Sequence, residues 1–152
     1  MSHCNHCGGV LDKASNGKPR SLEQHRRFFG LCRAVFHHWP ASHAVQFGDE
    51  TECRKWLTMK SGHRDIGARI PLVGMNRQKA LLIVEAAIRG CGSYAVPVVH
   101  GDSLVVWTPK SIAFSKLGHH AFCKLNNEVE DVIRAETNLD PEQLLTEHAT
   151  AA

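Results

Sequence analysis

The chain has 152 residues, 43% of them hydrophobic and 22% charged, with a formal net charge of +3 at pH 7. That length suits one domain with its own core, and the balance is that of an ordinary globular protein rather than a collagen-like or disordered chain. No apolar run approaches the roughly 20 residues that cross a bilayer, and the opening "MSHCNHCGG" lacks the basic-then-apolar order of a secretory signal.

Residues 1–20 are rich in Gly, Ser, Asn and Lys and have almost no apolar periodicity, so they read as an irregular arm. Within it, "CNHCGG" sets Cys4 and Cys7 at C-x-x-C spacing with glycine behind them. Both thiolates of such a pair can reach one tetrahedral ion, so the expected cofactor is zinc in a knuckle. Zinc needs two more ligands, and neither a second C-x-x-C nor an H-x-x-x-H is present. His25 and Cys32 stand seven residues apart, about 10 Å along a helix, too far to share an ion. The candidates for the other ligands are then His3 or His6, one of His37, His38 and His43, or a cysteine such as Cys53. The competing reading is a tail with two reduced thiols; a redox pair lacks the βαβ surroundings it would need.

Ser21 is the expected N-cap of a first helix, with Gln24 three positions on as a capping box. At 100° per residue, Leu22, Phe28, Phe29, Leu31, Cys32, Val35, Phe36 and Trp39 fall on one half of residues 22–39. Arg26, Arg33 and His37 form a stripe on the other half, with Arg27 and His38 further round. The aromatic half predicts core, and the basic half predicts an exposed surface. His25 falls inside the apolar half, where a hydrogen-bonded core histidine is the first reading and a general base the second. Pro40 discourages continuation.

"DETECRKWLTMKSGH" (49–63) predicts a second, shorter helix with Cys53, Trp56, Leu57 and Lys60 on one side, stopped by Gly62. "ARIPLVG" (68–74) predicts a short strand weakened by Pro71. "NRQKALLIVEAAIRG" (76–90) is apolar around most of its circumference, which predicts a central, buried helix. "YAVPVVHGDSLVVWTP" predicts a β-hairpin turning at "HGDS", with Pro97 assigning its strand to an edge or a bulge. A long helix from about Gly118 to Glu136 carries Ala121, Phe122, Leu125, Val129, Val132 and Ile133 in one stripe. "DPEQLL" (140–145) opens a terminal helix with Asp140 as N-cap and Pro141 first in the helix. The sum is α+β: an arm at 1–20, a single domain at 21–147 with four to five helices on a small antiparallel hairpin or sheet, and a tail at 148–152.

"QHRRFFGLCRAVF", "PKSIAFSKLGHHAFCKLNNEVEDVI" and "LDPEQLL", in that order, resemble an uncharacterised family of tailed-phage proteins over roughly residues 18–146. That family's genes lie among early phage genes near recombination and replication functions. The resemblance implies a viral protein working in the host cytoplasm, and carries no catalytic residues over. The six cysteines (4, 7, 32, 53, 91, 123) are scattered, and four lie in helix-like or buried-looking segments. Reduced thiols in a cytoplasm fit that scatter.

Charge is unevenly placed: residues 1–69 carry eleven Lys/Arg against six Asp/Glu, and residues 70–152 seven against nine. Glu23 is the only acid between Lys18 and His38. Lys18, Arg20, Arg26, Arg27, Arg33 and His37 are therefore the candidate contacts to successive nucleic-acid phosphates. Replacing Arg26, Arg27 and Arg33 by glutamine is expected to spare folding, as surface changes usually do. "GHRD" (62–65) and "HGD" (100–102) each put a histidine near an aspartate, and together they would make a metal-dependent nuclease. Turn and helix-end geometry explains the same residues without a metal. No phosphate-binding glycine loop, dinucleotide fingerprint, nucleophile elbow or paired-carboxylate pattern occurs, so an enzyme is the minority reading. A non-catalytic nucleic-acid-binding accessory protein comes first. A protein-binding inhibitor of a host defence complex, such as an anti-CRISPR, is the alternative, and the nuclease comes after it.

Overall fold

The computed structural model describes residues 22–113 and 117–151. Along them run α1 (Leu22–His37), α2 (Glu50–Lys60), β1 (Arg64–Pro71), α3 (Arg77–Cys91), β2 (Val96–His100), β3 (Ser103–Pro109), α4 (His119–Thr137) and α5 (Pro141–Ala151). The strands form one antiparallel sheet in the order β1-β3-β2, so the fold is α+β as the sequence predicts. The arm at 1–20 and the Ser21 cap lie outside the described residues.

α1 buries Phe28, Leu31, Cys32, Ala34 and Val35, the three-and-four spacing that a helix needs to present one apolar face. That face meets Cys53, Trp56 and Leu57 of α2, Phe122, Leu125, Val129 and Ile133 of α4, and Leu144 of α5 in one cluster. Phe28 and Phe122 stand edge to face at its centre, 5.4 Å between ring centroids. Phe29, Phe36 and Trp39 are only half-buried at its margin, and Leu22 is exposed at the helix start. α1 ends two residues before Trp39, whose indole N–H donates to the Val45 carbonyl at 2.8 Å.

Asp49 caps α2, its Oδ1 accepting from the Glu52 N–H at 2.8 Å, and Gly62 turns the chain at φ +105°. β1 then begins at Arg64, four residues before the expected start, because a bulge at Gly67 lets it pair along the whole of β3. A Cβ at Gly67 would lie 2.7 Å from Thr108 Cγ2, so the bulge tolerates no side chain there without a shift. β2 and β3 form the predicted hairpin, with His100 opposite Ser103 and Gly101 at φ +59° in the turn. β2 is an edge strand, which leaves room for Pro97.

β3 is covered on both faces, since Leu104, Val105 and Val106 are all buried in sequence. Leu104 and Val106 join Leu72 and Ala80 in a second cluster, which Leu81, Val84 and Ile88 of α3 flank. α2 packs against β3 and β1 and joins the sheet to the helices. The expected central position of α3 is overturned: Ala80 is its only buried residue, and Leu82 and Ile83 are 59% and 58% exposed. The small sheet offers α3 one surface, along β2, so the rest of its apolar circumference stays outside. α5 begins at Pro141, with Asp140 Oδ2 accepting from the Gln143 N–H at 3.3 Å, and its helix includes 148–151 rather than leaving them as a tail. No helix among the described residues is long and apolar enough to cross a membrane.

Candidate nucleic-acid interface

The basic stripe of α1 divides on inspection of its partners. Arg26 is exposed and makes no ion pair among the described residues. Arg33 is also exposed, but its Nε donates to Glu50 Oε2 at 3.0 Å and its Nη2 to Oε1 at 3.4 Å, so α2 already supplies it with a carboxylate. His37 is exposed and stacks on His148 of α5, 5.9 Å between rings. Arg27 departs from the expected exposed side: its side chain is 25% exposed and turns toward α4 and α5. There Nη1 pairs with Glu130 Oε1 at 3.4 Å, and Nη2 pairs with Glu142. Glu130 is only 1% exposed and also faces Arg134 at 3.6 Å. Arg27 is thus a structural cation. Lys18 and Arg20 lie outside the described residues.

The sequence reading missed a groove of ≈ 440 Å³ beside α1, lined by Arg54 and Lys55 of α2, Lys110 after β3, His25 and Phe29 of α1, and residues 111–113. Among the described residues no carboxylate lines it. Arg54, Lys55 and Lys110 form no ion pair among the described residues. Arg54 lies over the Phe29 ring, 4.9 Å from its centroid, and Phe29 and Arg54 also line the small cleft that holds Arg33. Arg64, opposite Pro109 at the end of the sheet, covers Trp107 at 3.9 Å. Arg64 also donates through Nη1 to the Met59 carbonyl at 2.8 Å, so of the two guanidinium groups stacked on aromatic rings Arg54 is the one that lines the groove. A larger cleft of ≈ 620 Å³ between α2, α3 and β2 has the opposite character, with Asp49, Glu52 and Glu85 beside Lys55 and Arg89. Burial, reinforced by Glu52, raises the Tyr94 hydroxyl pKa there, so Tyr94 stays protonated. The described lining of the first cleft is thus cationic, and that of the second is mixed in sign.

"RK" at 54–55 was legible as the polar side of a helix whose other side is Trp56 and Leu57. Nothing in the sequence placed Lys110 beside them, since the approach depends on how β3 leaves the sheet. His25 lines the same groove, its ring 4.4 Å from Phe29, half-buried rather than core.

The two His/Asp pairs are not brought together. His63 lies near Pro109, where its Nε2–H donates to the Ser111 carbonyl at 3.1 Å, whereas His100 pairs with Ser103. The length of β3, about 20 Å, separates them. Among the described residues no group of three or more His, Cys, Asp or Glu is placed to hold a metal ion. Of the expected zinc ligands, Cys4, Cys7, His3 and His6 lie outside the described residues. His43 accepts from the Val45 N–H at 3.0 Å, which leaves its Nε2–H to donate to Glu136 at 2.9 Å, so both nitrogens are committed. His38 is exposed and donates through Nδ1 to the Ala34 carbonyl at 2.9 Å. Cys53 is fully buried, and burial pushes its thiol up to about 12. Cys32 is raised further, by burial first and by Cys53 second. Cys91, expected inside, is exposed at the end of α3. Alkylation of the native protein should therefore modify Cys91 and spare Cys32 and Cys53 until denaturant is added, as peptide mapping would show.

One polar contact between α1 and α4 was also missed. His119 Nδ1–H donates to Gln24 Oε1 at 3.1 Å, and Gln24 Nε2 donates to Cys123 Sγ at 3.6 Å. His119 Nε2 lies 3.6 Å from the same sulfur. Gln24 thus bonds across to α4. The visible signal was the H-x-x-x-C spacing of His119 and Cys123, which a helix brings onto one face. No family model, curated protein or solved structure matches the chain.

Proposed function

We propose that this is a non-catalytic binding protein that holds the phosphate backbone of nucleic acid in the groove between α1, α2 and the end of β3. The observation that carries this reading is the convergence of Arg54, Lys55 and Lys110 on a groove that no carboxylate lines among the described residues. Arg26 and the C-terminal part of α1 extend the surface, while Arg27 is withdrawn from it. With its resemblance to early-gene phage proteins, the reading makes this an accessory of phage recombination or replication in the host cytoplasm. Such contacts read no bases, so the protein binds many sequences alike, with dissociation constants of roughly 10⁻⁴–10⁻⁶ M at physiological salt.

Fluorescence anisotropy with labelled single- and double-stranded oligonucleotides, titrated at several salt concentrations, tests it. The variant Arg54→Gln/Lys55→Gln/Lys110→Gln should weaken binding to every sequence and reduce the salt slope by about three units, roughly one per lost phosphate contact. Arg89→Gln, an exposed change on α3, should leave the slope unchanged. Wild-type protein that binds no oligonucleotide at low salt overturns the reading.

A second reading, an inhibitor that docks on a host protein complex, draws on a different surface. Val73 is 84% exposed, Met75 50%, and Leu82 and Ile83 of α3 stand out beside them in sequence. Exposed apolar residues of that size favour a protein partner over phosphate. Capture of one defined host complex in a salt-insensitive manner, lost on Leu82→Ser/Ile83→Ser, is the outcome that distinguishes it.

A further inference from the structure

We propose that the outward face of α3 pairs with the same face of a second copy of this chain, antiparallel and about a two-fold axis beside Ala86. Leu82 and Ile83 are 59% and 58% exposed, and Ala86, Ala87 and Gly90 are exposed after them. At 100° per residue, Leu82, Ile83, Ala86 and Gly90 fall on one side of the helix, away from the side that Ala80, Val84 and Ile88 turn to the second cluster. The face is bulky in its first half and nearly bare in its second. An antiparallel two-fold brings unlike halves together. Ile83 of each copy then meets Gly90 of the other, Leu82 lies against the same turn, and Ala86 and Ala87 meet across the axis. Every contact occurs twice, as it does in any isologous pair.

Gly90 is the residue that α3 alone does not explain. Inside a helix, glycine is destabilising relative to alanine. Its φ is not in the left-handed region, and a Cβ built there meets nothing within 4 Å among the described residues. The bare turn is therefore useful only to something outside the chain, and α3 itself carries the side chains that fill it.

Charge selects the same arrangement. Glu85 and Arg89 lie on one flank of the face, 3.9 Å apart within the single chain. The antiparallel two-fold sets Glu85 of each copy beside Arg89 of the other. Lys79, exposed at the N-terminal end of the face, reaches the last turn of the second α3, where the carbonyl end of a helix favours a cation. A parallel pair would set Glu85 against Glu85 and Lys79 against Lys79. With 15 residues α3 is about 22 Å long, so one such helix pair is smaller than a standard interface and the dimer is weak and concentration-dependent. None of its residues lines the cationic groove, so the pairing is independent of the nucleic-acid reading. It gives to a second copy the surface that the inhibitor reading gives to a host protein.

Sedimentation equilibrium of the full chain without nucleic acid, from about 1 μM to about 1 mM, covers the range of weak association and tests the pairing. We expect a reversible monomer–dimer equilibrium that stops at the dimer, because a two-fold closes. Gly90→Leu enters open space in the single chain and should keep its helical circular dichroism, but it fills the hollow twice and should weaken the dimer at least about tenfold. A merely sticky face would instead gain affinity from the added leucine. Glu85→Arg should weaken association about 2- to 10-fold, and Glu85→Arg/Arg89→Glu should restore it. In a Cys91→Ser background, Ala86→Cys should form an intermolecular disulfide with oxidised glutathione, and Gln78→Cys, far from the axis, should not. A chain that stays monomeric throughout, whether or not the same face captures a host protein, overturns the pairing. So does assembly beyond the dimer, a Gly90→Leu dimer as tight as wild type, or cross-linking through Gln78→Cys equal to that through Ala86→Cys.

Discussion

Phe28→Ala should destabilise the domain by about 3–5 kcal/mol, the usual cost of emptying a buried aromatic site. For a chain of this size that corresponds to a fall in Tm of roughly 6–20 °C. Phe28 has no exposed surface, touches Phe122 edge-on at 5.4 Å, and sits where α1, α2, α4 and α5 share one cluster. Its neighbour Phe29 looks equivalent on a helical wheel, but it is half-buried and lies under Arg54 at the rim of the groove. Phe29→Ala should cost about 1–2 kcal/mol, within the ordinary range for a partly buried site. It should also loosen Arg54 and weaken oligonucleotide binding. Urea unfolding of both variants measures the contrast. A larger loss at Phe29 than at Phe28 would mean that α1 is rotated about its axis relative to the packing described above.

That contrast shows where periodicity stops being informative. A period of 3.6 residues identifies the buried half of α1, and it does so correctly for Phe28, Leu31, Cys32 and Val35. It does not say how wide the covering surface is, and Phe29 and Phe36 fall at its edge. α3 is the extreme case: its apolar residues run around most of the helix, but among the described residues only the side over β2 has anything to pack on. Turn chemistry was more legible, because it is local. Gly101, Gly62, Asp140 and Pro141 each answer to a backbone requirement within a few residues. The candidate site was only half-legible. Lys110 approaches Arg54 across 56 positions, and Gln24 approaches His119 across 95, through the packing of whole elements. Only the spacing within each partner, "RK" or H-x-x-x-C, lay open to inspection.

Arg26 and Arg27 are adjacent and chemically identical, but they should respond differently to the same change. Arg26→Gln removes an exposed cation and should alter stability by no more than about 0.5 kcal/mol. Arg27→Gln should cost about 3 kcal/mol, because it takes the guanidinium from a carboxylate that is 1% exposed. That is the low end for breaking a buried pair, since Arg134 remains 3.6 Å from Glu130 and Arg27 itself keeps a quarter of its surface in water. The penalty belongs to Glu130 left behind, and this supplies the internal check. In Arg27→Gln/Glu130→Gln the loss should fall short of the sum of the single losses by about 0.5–3 kcal/mol, the coupling of residues that share a network. Additive losses would mean that the two side chains do not interact in solution. The functional consequence follows from the same geometry. A combined Arg26/Arg27/Arg33 variant would be destabilised through Arg27, so weaker oligonucleotide binding in it would not report on phosphate contacts alone. The groove residues Arg54, Lys55 and Lys110 support no buried carboxylate among the described residues, so their removal should leave the frame standing while it takes the positive charge from the groove.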